Sequence, residues 1–82
     1  MTTIQPGILF SRNAVAFARL AYLSDDDIAA HVDAVERGTE SPAELLARYL
    51  ATYSGHRGWP KFVRSYVRAV CVCAGVELVA GI

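Results

Sequence analysis

Between Ser54 and Arg68 the chain reads SGHRGWPKFVRSYVR, a glycine-flanked turn with His56 and Arg57 followed by Trp59, Lys61, Arg64, Tyr66 and Arg68. Cations recurring every three to four residues fall on one side of a helix. A helix start flanked by cations can hold a phosphate. Tryptophan, tyrosine and arginine are also the types enriched where a few side chains dominate a protein contact. The candidate chemistry is therefore recognition of an anion or a macromolecular surface, and the candidate contact residues are Arg57, Trp59, Lys61, Arg64, Tyr66 and Arg68. Each also has a plain structural reading. The cations can be the solvated side of a helix, paired with acids elsewhere, and Trp59 can close the end of a small core.

Other reactive side chains point to less. Cys71 and Cys73 are two residues apart, too close in sequence to staple distant parts of a fold. In an apolar helix their thiols are expected to be inert. His31 and His56 have no spacing that links them to the cysteines, so no metal site is expected. The triple aspartate Asp25-Asp26-Asp27 points three ways around a helix and suits a helix start better than a metal or catalytic cluster. Glu44 is assigned to a helix cap. No Ser/His/Asp spacing, phosphate-binding glycine loop or zinc-binding helix motif appears. The expectation is a protein that is not an enzyme and has no catalytic residue or cofactor.

The elements that must position the basic stretch belong to one domain, because 82 residues are near the lower size for a self-sufficient core. At 54% hydrophobic and 20% charged, the composition is that of a folding chain. A formal net charge of zero hides a division: residues 1–41 carry six acids against three bases, and residues 42–82 carry two acids against five bases. Such a split can steer a partner or draw the chain's own halves together. No basic flank precedes an apolar run at the N-terminus, and the apolar AVCVCAGVELVAGI is too short to span a bilayer. The expected setting is cytoplasmic, reducing and without a membrane.

Periodicity and capping signals predict an all-α fold, a compact antiparallel bundle of about four short helices within a single domain, residues 1–82. Residues 1–9 form an arm. Ser11 caps a first helix to about Leu23, with Phe10, Ala14, Phe17 and Ala21 inward and Arg12 and Arg19 outward. Ser24 caps a second, ended by Arg37-Gly38, with Ile28, Val32 and Val35 as its stripe and His31 beside them. Ser41, Pro42 and Glu44 start a third, with Ala43, Leu46, Ala47, Leu50 and Tyr53 inward and Tyr49 at the border. A fourth runs from Trp59-Pro60 to about Ala74. Phe62, Val63, Tyr66, Val67, Val70, Cys71, Cys73 and Ala74 line its apolar side, and Lys61, Arg64, Ser65 and Arg68 the other. The valine run makes a strand the competing reading there. Beyond Gly75, residues 76–82 are expected to be a helical or extended apolar tail, since a continued helix would put Glu77 among the apolar residues.

These features fit a small non-catalytic interaction protein, a regulator, inhibitor or assembly subunit. It is expected to bind a larger protein or assembly through the basic and aromatic fourth helix and the apolar tail. The alternative is a nucleic-acid-binding regulator in which helices three and four act as a helix-turn-helix-like pair, with Arg57, Lys61, Arg64 and Arg68 on phosphates. The long SGHRG link and the zero net charge weigh against it. Abundant apolar surface on so short a chain also points to a homo-oligomer.

Overall fold

A computed structural model describes residues 11–52 and 55–78, and among them shows four helices: α1 (Arg12–Leu20), α2 (Asp25–Arg37), α3 (Pro42–Thr52) and α4 (Trp59–Ala74). The fold is all-α, and the valine-rich stretch within α4 is helical. The N-terminal arm with Phe10, the pair Tyr53 and Ser54, and the end of the tail from residue 79 lie outside the described residues.

Each of the first three helices begins where a serine can satisfy a free N–H. Ser11 Oγ accepts from Ala14 N–H at 3.3 Å. Ser24 and Asp27 form a reciprocal capping box, with Asp27 N–H donating to Ser24 Oγ and Ser24 N–H to the Asp27 carboxylate. The Ser24 N–H, and after it the Ser24 side chain, hold the Asp27 carboxyl below its ordinary range. Ser41 Oγ accepts from Glu44 N–H at 3.1 Å and donates to the Glu44 carboxylate at 2.9 Å. The expected structural roles of Asp27 and Glu44 are what the geometry shows.

The ends are equally local. Past α2 and α4, Gly38 and Gly75 take left-handed conformations, with φ of 80° and 72°. The following residues, Thr39 and Val76, return N–H bonds to Ala34 and Cys71 carbonyls. Helix α1 ends the same way without a glycine. Tyr22 takes φ 56°, and Leu23 N–H bonds back to Ala18 O at 2.9 Å. The helix thus stops at Leu20, short of the expected Leu23, because the left-handed turn swings Leu23 back against the core.

Helix α4 is the hub and packs on each of the other three more extensively than they pack on one another. Ser11 and Asn13 lie by Arg68 and Val72, whereas Leu20 to Tyr22 lie by Trp59, so α1 runs antiparallel to α4. The core is aromatic at its centre. The Phe17 ring sits 4.6 Å from Tyr66, 4.9 Å from Trp59 and, edge-on, 5.0 Å from Tyr49. Around it are Ile28, Val32 and Val35 of α2, Leu45 of α3, and Val63, Val67, Val70 and Cys71 of α4.

One predicted face needs correction. On α3 the fully buried residue is Leu45, and Ala43 and Ala47 are exposed, while Leu46, Tyr49 and Leu50 are partly buried against the core. The inward line runs through Leu45 and Tyr49, one turn apart. Tyr49 packs edge-on against Phe17 and Leu45 joins the core, filling it better than alanine would, so volume overrides the evenly apolar wheel. After Gly75, Val76 packs on the core, Glu77 and Leu78 are exposed, and Val76–Leu78 adopt neither helix nor strand.

Candidate functional site

The basic stretch is positioned by the turn before α4. Gly58 N–H donates to His56 Nδ1 at 3.2 Å, and Trp59 N–H donates to His56 O at 3.0 Å. His56 stands 5.4 Å from the Phe62 ring. The Trp59 indole then donates to Tyr49 O at 2.7 Å, which pins the start of α4 to the end of α3. With Trp59, Val63, Tyr66, Val67 and Val70 held inward, helical periodicity leaves Lys61, Arg64 and Arg68 on the outer side, and Arg57 is exposed just before them.

The structure divides the six sequence candidates. Arg57, Lys61, Arg64 and Arg68 are exposed. Trp59 is 2% exposed and Tyr66 fully buried, so neither aromatic is offered to a partner at the surface. This corrects their assignment as contact residues. Both are large enough to fill the core of a small domain, and both polar tips find partners inside it.

What borders the cations is different in kind. A shallow hollow of about 160 Å³ lies among Lys61, Arg64, Ser65 and Arg68. A second, about 310 Å³, continues from Ser65 and Arg68 to Ser11, Asn13, Ala69 and Val72. Among the described residues no carboxylate lines either hollow. Val72, 56% exposed, extends the same side of α4 by one more turn beyond Arg68.

Two ion pairs join described residues away from this face. Arg37 bonds Asp33 at 3.1 Å and Arg48 bonds Glu40 at 2.6 Å. Neither pair joins an acid of α2 to Lys61 or Arg64. Among the described residues neither Lys61 nor Arg64 has a carboxylate partner.

A second constellation was not legible beforehand. His31 of α2 lies 2.6 Å through Nδ1 from the Tyr66 hydroxyl of α4, and 3.2 Å through Nε2 from the Tyr49 hydroxyl of α3. Burial pushes the His31 imidazole below its ordinary pKa, and burial, followed by the neighbouring Tyr49, Asp27, Glu40 and Cys73, pushes the Tyr66 phenol above its own. A lone histidine at the edge of an apolar stripe was the only sign in the sequence. Which hydroxyls meet it depends on how three helices cross.

The remaining groups offer little chemistry. Burial raises the pKa of both the Cys71 and Cys73 thiols, which disfavours the nucleophilic thiolate. Among the described residues no three His, Cys, Asp or Glu side chains gather into a metal-sized group. No helix among them is long and apolar enough to cross a membrane. Comparison with protein-family models, curated proteins and solved structures finds no match.

Proposed function

We propose that the protein is a small non-catalytic interaction module that seats an acidic surface of a larger protein on the outer face of α4. The observation that carries this reading is the stripe Lys61, Arg64, Val72: cations without a carboxylate partner among the described residues, continued along one helix by an exposed valine. Arg57 and Arg68 widen it. A mixed basic and apolar strip suits a protein surface, where charge sets register and approach and a desolvated apolar contact adds affinity. Two free cysteines fit use in a reducing setting such as the cytoplasm. Self-association through Val72, Leu78 and the tail belongs to the same proposal, since Leu78 is also about half exposed.

A second reading, binding of nucleic acid, is favoured by one feature: the cations stand on successive turns beside hollows lined by Ser11, Ser65 and Asn13, all able to donate to phosphate. The zero net charge limits it.

Tagged protein recovered from its native cells, with and without nuclease and at two salt concentrations, separates the two. A stoichiometric protein partner that survives nuclease, and is lost from the Lys61→Glu/Arg64→Glu variant with circular dichroism unchanged, supports the first reading. Nucleic acid lost at higher salt supports the second. Recovery unaffected by the double substitution returns the stripe to an ordinary solvated face.

A further inference from the structure

Among the described residues His31 is the one side chain of α2 that hydrogen-bonds to both α3 and α4. A neutral imidazole has one N–H and one bare nitrogen, and a tyrosine hydroxyl can either donate or accept. One tyrosine can therefore donate to the ring while the other accepts from it, so both ring nitrogens are satisfied. A protonated ring has two N–H groups and no acceptor. Whichever hydroxyl had been donating must turn its hydrogen away, in a site where Tyr66 is fully buried and His31 half-buried.

The charges around the ring pull both ways: the Glu40 and Asp27 carboxylates favour a positive ring and Arg48 opposes it, while burial, the largest effect, disfavours it. From α2 itself comes Asp27, whose carboxylate is bound to Ser24 N–H. From the turn before α3 comes Glu40, bound to Arg48, and Arg48 of α3 opposes a positive ring. From α4 comes Tyr66, with Cys73 near it. Helix α1 contributes the Phe17 ring, packed on both tyrosines.

We propose that His31 is a pH-sensitive latch that ties α2 to α3 and α4 while neutral and loosens α2 from them when protonated. The direction follows from linkage. With the imidazole pKa lowered by burial, the unfolded chain takes up the proton first. Stability is full above the ordinary histidine value of about 6.5 and is lost as pH falls from there through the folded value. The latch is independent of what binds the outer face of α4.

The test is urea unfolding of the whole chain from about pH 8 to about pH 5, above the range in which ordinary carboxylates titrate. The wild-type midpoint should fall across that window, and His31→Gln should show less than half of that fall. Alongside it, an NMR titration of the wild-type imidazoles, assigned with His56→Asn, should place His31 below about 6.5, with the Tyr49 and Tyr66 ring signals moving in step. Equal falls in wild type and His31→Gln overturn the latch, as does a His31 titration at or above about 6.5. If His31→Gln does not fold, the wild-type titration decides alone.

Discussion

The two sides of α4 use similar residue types for opposite purposes. On the inner side Trp59 and Tyr66 look like binding anchors by composition, yet their rings are packed on Phe17 and their polar tips bond Tyr49 O and His31. On the outer side Lys61 and Arg64 look like routine solvated charges, yet among the described residues they are left without a carboxylate partner beside exposed Val72. A tiny domain has too little volume to leave its largest aromatics outside. Aromatic enrichment at interfaces is therefore a weak guide in a chain of this size, and the cations carry the information.

That contrast yields graded expectations for stability. Trp59→Ala removes a buried indole and the pin between α3 and α4, and should cost about 3–5 kcal/mol, which is most of the stability of a domain this small. Chemical denaturation measures it, and a loss under about 1 kcal/mol would break the comparison by making Trp59 a surface residue in practice. Tyr66→Phe keeps the ring but removes the hydroxyl that meets His31 Nδ1. The expected loss is about 1–3 kcal/mol, read from the same curves.

Tyr22 sharpens the contrast from outside α4. It is 92% exposed and held at φ 56°, so Tyr22→Gly gives up little packing and relieves backbone strain. A gain of roughly 0.5–1 kcal/mol is expected in thermal or urea unfolding. A loss would show that the tyrosine packs where it looks free. The smallest effect belongs to Lys61→Glu/Arg64→Glu, expected to leave stability within about 0.5 kcal/mol of wild type while binding is lost. Equal damage to stability and binding would assign these cations to the fold.

Legibility followed the range of the interactions. The caps at Ser11, Ser24 and Ser41 and the exits at Gly38 and Gly75 could be read residue by residue, because each bonds partners a few positions away. The outer positions of Lys61, Arg64 and Arg68 followed from the periodicity of α4 alone. Misreadings arose where a neighbour decides. Helix α3 turns Leu45 and Tyr49 inward because Phe17 and His31 are there to receive them, and α1 stops early because Leu23 is drawn to the core.

The amino-acid sequence by itself determined the helices, their starts, most of their ends and the segregation of α4 into a basic and an apolar side. These depend on hydrogen bonds and periodicities closed within a turn or two. Only the tertiary structure decided that Trp59 and Tyr66 belong to the interior, that the acids of α2 do not pair with Lys61 or Arg64, and that His31 lies between two tyrosines. Those outcomes depend on volume to be filled and on polar atoms that must find partners once buried, and both are properties of helices already packed together.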